Sequence, residues 1–162
     1  MKRAVFLDRD NTLIKDDGYI HEPEKVKLLP TVGEGLKLLK SAGLLLIVVS
    51  NQSGIGRGYF SEKEFHAVNR KLNRILKSDF EIEIDDFFFC PHRPDEKCIC
   101  RKPSPFLILK AAKKWKIDIK ESFMIGDKEI DVNAGKNAGC KNSFSVKEKT
   151  LMKIAQEILK KT

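Results

Sequence analysis

The sequence lacks any run of apolar residues close to the roughly 18 that a membrane-spanning helix needs. It also lacks a secretory signal peptide, because MKR at the N-terminus leads directly into a short strand-like segment. No internal repeat, low-complexity tract or linker divides the chain. We therefore expect a cytoplasmic protein without a membrane partner and with a single domain over residues 1–162, since 41% hydrophobic residues suffice for one core.

Blocks of like charge are absent as well, although the net charge is +8. A basic protein can attract the phosphate backbone of a nucleic acid. Here the lysines are spread from Lys2 to Lys161 and alternate with glutamates, as in EKEFHAVNRK, which is typical of solvated helix surfaces. The charge pattern therefore predicts no nucleic-acid partner.

Cysteine is scarce, with four residues in the chain, but three of them fall within CPHRPDEKCICRK together with one of the three histidines. In a reducing compartment such spacing favours metal binding over disulfide formation. Three thiolates and one imidazole would complete a tetrahedral shell and leave no position for water or substrate. The sequence therefore predicts a structural Zn²⁺ ion in the loop over residues 90–101, with the ligands Cys90, His92, Cys98 and Cys100.

A zinc-dependent nucleic-acid-binding module is an alternative interpretation of this cluster. Such a module would place a helix with basic, base-reading residues directly after the metal ligands. The chain instead continues with RKPSPF after Cys100, and position 103 is a proline. This continuation favours a zinc loop that supports another site.

Four apolar segments have the composition of buried parallel strands. They are AVFL (4–7), LLLIVVS (44–50), DDFFFC (85–90) and SFMIG (122–126). Helical patterns fill the intervals between them. This alternation indicates an α/β protein with a mostly parallel central sheet, as in Rossmann-like three-layer sandwiches.

Capping signals mark where the helices begin. The S/T-x-x-E capping box occurs at 31–34 and again at 61–64, each time before periodic apolar residues. Ser104 is the predicted N-cap of another helix, with Pro105 in its first turn. A last helix is predicted over about 147–160.

Unusual polar residues follow each of the four apolar segments. DRDNT (8–12) follows the first, SNQSGIGRG (50–58) the second, the Cys/His cluster and RKP the third, and GDKEID (126–131) the fourth. The carboxyl ends of parallel strands meet at one edge of the sheet, where such folds bind their ligands. We therefore expect one site built from all four.

Carboxylates are the main chemical groups expected in that site. Asp8 and Asp10 lie at i and i+2 after a strand, so they point to the same side of an extended chain. Asp127 follows another strand, and Asp131 lies one helical turn later. Several carboxylates can thus converge on a hard cation with oxygen ligands, which predicts Mg²⁺.

Groups that bind anions are expected opposite the carboxylates. They are Ser50, Asn51, the glycine-rich turn after them, Arg101 and Lys102. Carboxylates with Mg²⁺ on one side and hydroxyl, amide and lysine groups on the other are what a phosphoryl group in transfer requires. The pattern therefore predicts phosphoryl-transfer chemistry.

In this order, DRDNT, SNQSG, RKP and GDKEID resemble the four motifs of the haloacid dehalogenase superfamily of phosphohydrolases, from Asp8 to about Ala138. DDGYIHEP (16–23), SGIGRG (53–58) and the Cys/His spacing are similar to the D-glycero-D-manno-heptose 1,7-bisphosphate phosphatases and their close relatives, the histidinol-phosphatase domains. The G-Y-x-H loop and the RG after the second motif favour the heptose enzymes. Both relatives carry the zinc loop, so it does not separate them.

The resemblance implies a role for each motif residue. Asp8 would be the nucleophile that forms an aspartyl-phosphate, and Asp10 would protonate the departing sugar oxygen and then activate water. Ser50 and Lys102 would bind the transferring phosphoryl oxygens. The Mg²⁺ ligands would be Asp8, the backbone carbonyl of Asp10 and Asp127, supported by Lys128 and Asp131.

The resemblance also implies a small phosphosugar substrate. A monomeric enzyme would remove the 7-phosphate of the heptose bisphosphate during the synthesis of nucleotide-heptose precursors of lipopolysaccharide or other surface glycans. Hydrolysis of histidinol phosphate is the alternative with the same chemistry. Arg101 would grip a second phosphate by a bidentate contact. The expected substrate contacts are Asp16, Asp17, Gly18, Tyr19, Ser50, Asn51, Gln52, Ser53, Arg101 and Lys102.

Two further expectations concern the surroundings of the site. The gaps between Leu13 and Leu44 and between Ser53 and Cys90 leave no room for a cap domain, so the 16–23 loop and the zinc loop are the candidates to close over the substrate. Asn11 stands where the family usually has glycine. Asparagine tolerates left-handed backbone angles better than most residues, so we expect the turn to survive.

Overall fold

Five parallel strands form the centre of the protein, in a computed structural model that describes residues 1–161. The strands are β1 (Ala4–Leu7), β2 (Leu45–Asn51), β3 (Asp86–Cys90), β4 (Phe123–Gly126) and β5 (Asn142–Ser145). Their order across the sheet is β3-β2-β1-β4-β5. The chain moves outward from β1 in both directions, so the switch point of the topology lies between β1 and β4.

Helices cover both faces of this sheet. They are α1 (Val32–Ser41), α2 (Ser53–Gly56), α3 (Glu62–Phe80), α4 (Phe106–Trp115), α5 (Glu129–Ala138) and α6 (Leu151–Lys160). The first apolar layer includes α1, α3 and α6 and the second includes α4 and α5. Side chains of β1 alternate between the layers, with Val5 and Leu7 in the first and Phe6 in the second. Burial on both faces explains the continuous apolar runs and confirms the predicted three-layer α/β fold.

The helix starts follow the predictions only in part. The capping box at 61–64 is confirmed, because Ser61 Oγ accepts the Glu64 N–H at 3.1 Å and Glu64 Oε1 accepts the Ser61 N–H at 3.0 Å. The box at 31–34 is wrong. Thr31 has a φ of 65° and makes no side-chain cap, and its hydroxyl instead accepts the Met152 N–H of α6 at 3.3 Å.

Two other helices begin later than predicted. Pro105 is the N-cap residue of α4, but the predicted Ser104 still contributes, since its Oγ accepts the Phe106 N–H at 3.2 Å and donates to the Ile99 carbonyl at 2.6 Å. Helix α6 begins at Leu151 and not near 147, since the Thr150 side chain caps it by accepting the Lys153 N–H at 3.3 Å.

Compact elements fill the segments where a cap domain would be inserted. Between β1 and β2 lie one 3₁₀ turn, Pro23–Lys25, and α1, and between β2 and β3 lie α2 and α3. Among the helices of residues 1–161, none has the length and apolar character that a bilayer crossing requires.

Candidate active site

The carboxyl ends of the two strands at the switch point carry the acidic centre of the site. Asp8 directly follows β1, Asp127 directly follows β4, and Asp131 lies in the first turn of α5. One oxygen of each lies within 4.8 Å of the other two, and all three residues are buried. The topology thus brings together three of the predicted acidic residues, as the strand exits indicate.

Lys102 lies among these carboxylates. Its Nζ is 2.9 Å from Asp8 Oδ1, 2.6 Å from Asp131 Oδ1 and 2.7 Å from the Val49 carbonyl oxygen. The ammonium group therefore donates all three of its hydrogens to the protein. This arrangement fixes the lysine charge directly beside Asp8.

Burial sets the electrostatics of this cluster. It raises the pKa of Asp8 to about 8 against the opposing charge of Lys102, and the Asp131 carboxylate adds to the rise. Burial alone would lower the pKa of Lys102, but Asp8 and Asp131 together raise it. Three acidic groups face a single cation here, and their oxygen atoms are the donors that a hard divalent metal prefers.

Asp10 is held apart from the three clustered carboxylates. Its Oδ1 accepts a hydrogen bond from Arg9 Nε at 2.8 Å, and its Oδ2 accepts one from Gln52 Nε2 at 3.0 Å. Asp8 and Asp10 nevertheless both line a cavity of about 70 Å³. Asp16, Asn51 and Lys128 line it as well.

Two residues of the first motif take part in this site although sequence reasoning gave them no role. The Thr12 hydroxyl is 3.4 Å from oxygens of both Asp8 and Asp127. Arg9 is fully buried, with its guanidinium 4.9 Å from the Phe65 ring centroid. Thr12 belongs to the quoted DRDNT pattern, whereas an arginine in a polar turn carries no signal of burial.

The side chains that follow β2 make hydrogen bonds to other groups of the protein. Ser50 Oγ accepts a hydrogen bond from Gln52 Nε2 at 2.7 Å. Asn51 clamps the backbone of Lys102, since its Oδ1 accepts the Lys102 N–H at 2.9 Å and its Nδ2 donates to the Lys102 carbonyl at 3.2 Å. The predicted substrate contacts of Asn51 and Gln52 stay predictions, and the structure gives both amides partners within the chain.

The loop over residues 16–23 is tied to the first motif. Asn11 Oδ1 accepts the Asp16 N–H at 3.0 Å, and Asp16 Oδ1 accepts the N–H groups of Gly18 and Ile20 at 3.0 and 2.9 Å. Asn11 has a φ of 59°, so the prediction that asparagine would keep the left-handed turn is confirmed. Asp16 lines both the small cavity and a neighbouring one of about 480 Å³, which this loop encloses together with residues 24–27.

Helix α2 separates this loop from the Cys/His loop. Tyr19 packs edge-on against Tyr59 at 4.8 Å between centroids. A Cβ atom on Gly54 would lie 2.2 Å from Phe60 and 2.9 Å from Tyr19, and one on Gly56 would lie 2.6 Å from the Pro91 carbonyl oxygen. Only glycine lets the backbone approach both neighbours this closely.

The predicted zinc ligands come together in the Cys/His loop. The Sγ atoms of Cys90 and Cys98 are 3.8 Å apart, and His92 Nδ1 lies 3.4 Å from Cys90 Sγ and 3.3 Å from Cys100 Sγ. The Sγ atoms of Cys90 and Cys100 are closer, at 2.7 Å. All four cysteines of the chain are free thiols. The three cysteines of this loop and His92 are therefore available to bind one metal ion together.

Comparison with known proteins identifies the family. Residues 8–139 match the haloacid dehalogenase-like hydrolase family, and Asp8 and Asp127 both lie within the matched range. The chain belongs to the haloacid dehalogenase-like hydrolases. This membership confirms the predicted superfamily.

Relatives of this hydrolase are phosphatases. It is 44% identical over 142 residues to the D-glycero-beta-D-manno-heptose-1,7-bisphosphate 7-phosphatase of Helicobacter pylori, covering 88% of this chain and 82% of that protein. The enzyme of the same name from Pasteurella multocida is 44% identical over 153 residues, covering 91% and 83%. The prediction that this hydrolase is a phosphoric monoester hydrolase is confirmed.

A solved structure supports the same relationship. The D,D-heptose 1,7-bisphosphate phosphatase of B. bronchiseptica, complexed with magnesium and phosphate, superposes on this hydrolase with a TM-score of 0.88. The two are 27% identical, and the match covers 100% of each chain. The fold described above therefore extends over the whole length of a related phosphatase.

Proposed function

We propose that this hydrolase removes the 7-phosphate of D-glycero-D-manno-heptose 1,7-bisphosphate through an aspartyl-phosphate on Asp8. One geometric observation carries the proposal: a buried carboxylate lies 2.9 Å from a lysine ammonium and shares a small cavity with Asp10. The lysine balances charge on the transferring group, and the second carboxyl group supplies and removes the proton. The names of the relatives from Helicobacter pylori and Pasteurella multocida support the substrate.

The chemistry takes place in two displacements. An oxygen of Asp8 attacks the phosphorus, and the bond to the sugar oxygen breaks as Asp10 gives that oxygen a proton. Asp10 then takes a proton from water, whose oxygen attacks the phosphorus. This second step releases inorganic phosphate and restores the Asp8 carboxylate.

The oxygen cluster fits a Mg²⁺ ion, since its donors are closely spaced carboxylates on a buried floor. We infer that Asp8 and Asp127 hold the ion with the carbonyl of Asp10, and that Asp131 is near enough to orient Lys102 and these ligands. A bound Mg²⁺ would neutralise negative charge on the phosphoryl oxygens. Ser50 would bind the same oxygens from the other side, and so would Lys102 once its ammonium group exchanges the hydrogen bond to Asp8 for one to the phosphoryl group.

The two cavities divide the substrate between them. A volume of about 70 Å³ beside Asp8 suits a phosphoryl group, and the cavity of about 480 Å³ along the 16–23 loop has room for a sugar. We place Asp16 to Tyr19 against the sugar because Asp16 lines both cavities.

The Cys/His loop fits a structural Zn²⁺ ion. Around a tetrahedral Zn²⁺ ion, with bonds of about 2.3 Å to sulfur and about 2.0 Å to nitrogen, the donor atoms lie about 3.5–3.8 Å apart. This is close to three of the four distances between these atoms. Four protein ligands leave no open position, so the ion would shape the loop and take no part in the reaction.

Removing the zinc with a chelator should disorder the 90–101 loop and lower kcat/KM by about 100-fold, because Arg101 and Lys102 would lose their positions. The sheet should survive, since its apolar layers extend far beyond the loop. Limited proteolysis within the loop, far-UV circular dichroism and turnover together measure these effects. Recovery of activity with added Zn²⁺ is expected, and full kcat/KM in the zinc-free protein would contradict the proposal.

Arg101→Ala should weaken turnover of a bisphosphate by about 10- to 100-fold and leave a monophosphate nearly unaffected, because a charged hydrogen bond to the second phosphate is lost. Within residues 1–161, the buried Nη1 of Arg101 has no hydrogen-bond partner. Arg93→Ala is the matched control, since Arg93 lies on the same loop but pairs with Asp95 and Glu96. An equal loss on both substrates would refute this role.

A panel of phosphate esters tests the proposed function. It should contain the heptose bisphosphate, other sugar bisphosphates, nucleotides and histidinol phosphate. We expect the highest kcat/KM on the heptose bisphosphate and heptose 1-phosphate as the product, identified by phosphorus NMR. Equal or faster turnover of histidinol phosphate would overturn the assignment of substrate while leaving the chemistry intact.

A further inference from the structure

Gln52 is a buried side chain at the end of β2 that faces inward to the reacting groups. It is 4% exposed, and its Nε2 donates to Asp10 Oδ2 at 3.0 Å and to Ser50 Oγ at 2.7 Å. An amide NH₂ group has two hydrogens, and these two contacts use both of them. The amide donor of Gln52 is therefore committed to two groups of the site.

We propose that Gln52 is a positioning residue that holds the carboxyl group of Asp10 in line for proton transfer. The inference deepens the proposed function, because it rests on the exchange of protons between Asp10, the departing oxygen and water. Gln52 touches neither phosphorus nor sugar in this role, and its effect on the proton of the leaving group is exerted through Asp10.

Two donors from different parts of the chain fix the orientation of Asp10. Arg9 Nε binds Oδ1 at 2.8 Å, and the Arg9 guanidinium is itself fixed by Asn69 Oδ1 at 2.9 Å. Arg9 alone would leave the second oxygen with only its long contact of 3.4 Å. The shorter hydrogen bond from Gln52 holds Oδ2 in place. Both oxygens of Asp10 are then fixed, and the carboxyl group cannot rotate.

A neutral donor suits this position. Each carboxyl oxygen has two lone pairs. Oδ2 accepts the Gln52 hydrogen and the long contact from Arg9, while Oδ1 accepts the Arg9 Nε hydrogen and keeps a lone pair that can bind a proton. An amide orients Asp10 without adding a full charge.

The backbone of Gln52 is anchored independently of its side chain. Its N–H donates to the Cys90 carbonyl at 2.8 Å, and four residues onward in α2 the Gly56 N–H donates to the Pro91 carbonyl at 2.9 Å. The end of β2 is thus attached to the start of the Cys/His loop. A substitution of the side chain leaves these backbone bonds in place.

Gln52→Met tests the proposal, since methionine keeps the length of the side chain but removes the donor. Rapid-quench and stopped-flow assays compare phenyl phosphate with 4-nitrophenyl phosphate, whose leaving group needs no proton. We expect phosphoenzyme formation from phenyl phosphate to slow by about 10- to 100-fold, part of the usual contribution of acid–base catalysis. With 4-nitrophenyl phosphate the first step should stay near wild type and be followed by slow release of phosphate, which gives a burst of nitrophenolate.

A role in structure alone predicts something else. If Gln52 only supported the fold, both esters would react more slowly by the same factor, and no burst would appear. Gln52→Leu also removes the NH₂ donor without adding a charge, so it should show the same split between the esters. This variant replaces Gln52→Met in the assays if thermal unfolding shows that the methionine variant does not fold.

A double-mutant cycle with Asp10→Ala separates action through Asp10 from any other action. In the Asp10→Ala background, Gln52→Met should cause no further loss of rate on phenyl phosphate. A further loss equal to that in the wild-type background would refute the proposal. These esters contain no heptose, so the result can be interpreted even if the heptose bisphosphate is not the substrate. A failure of the Gln52 proposal would likewise leave the assignment of the substrate unchanged.

Discussion

Asp8→Asn should abolish turnover, with a loss of at least about 10⁴-fold in kcat, because an amide oxygen cannot form the phosphoenzyme. No phosphoenzyme should be trapped by acid quench with any ester. Inorganic phosphate release from the heptose bisphosphate measures the first effect, and covalent label from a ³²P-phosphate ester measures the second. Retention of more than a few per cent of activity would exclude Asp8 as the nucleophile.

The same variant should fold at least as stably as the wild type when both are free of metal. The pKa of Asp8 is about 8 in the folded chain, above the value of 3.8 for an unperturbed aspartate, so folding favours the protonated form. That contribution is complete below pH 4 and is lost as the pH rises through about 8. Asparagine has no charge to bury at pH 7, so the Tm should stay level or rise. Asp79→Asn, on the exposed side of α3, is the control for a change that should alter neither activity nor Tm.

Lys102→Met should have the second largest effect, with a loss of about 10²- to 10³-fold in kcat, the usual result of removing one donor to a developing charge. It should also lower the Tm, because Asp8 and Asp131 would share a buried site without their cation, and breaking such a pair costs about 3–5 kcal/mol. Steady-state kinetics and thermal unfolding measure the two losses.

Inhibition by inorganic phosphate distinguishes a binding role of Lys102 from a structural one. If Lys102 binds phosphoryl oxygens, phosphate should inhibit Lys102→Met much more weakly than the wild type. Lys63→Met is the matched control on an exposed part of α3. Unchanged inhibition by phosphate, together with a lower Tm, would assign Lys102 to stability alone.

The location of the site was predictable because hydrophobic patterning identifies strand ends. Asp8, Ser50 and Asp127 each come at the end of a run buried on both faces, and parallel strands bring such ends to one edge. β5 has no comparable run, since it is a short edge strand in which only Phe144 is buried. Its position follows from pairing with β4 and not from its own composition.

Contacts between distant residues explain what local patterns missed. Thr31 has the sequence of a capping residue, but its hydroxyl binds Met152, 121 positions away. The place of Gln52 in SNQSG predicted a substrate contact, but its side chain binds Asp10, which lies 42 positions earlier. Such choices depend on which groups the finished fold brings within hydrogen-bond distance, and no spacing rule encodes them.

Gly54 and Gly56 have a consequence for which substrates fit. At these two positions only main-chain atoms of α2 separate the 16–23 loop from the Cys/His loop. A side chain at either position would push the two loops apart. In the proposed complex, with the sugar along the 16–23 loop and the second phosphate at Arg101, this partition sets the distance between them, and point substitutions elsewhere in α2 do not shorten it. We expect that adapting the enzyme to a longer bisphosphate would require added residues in the 16–23 loop, because Gly54 and Gly56 have no side chains that could be shortened.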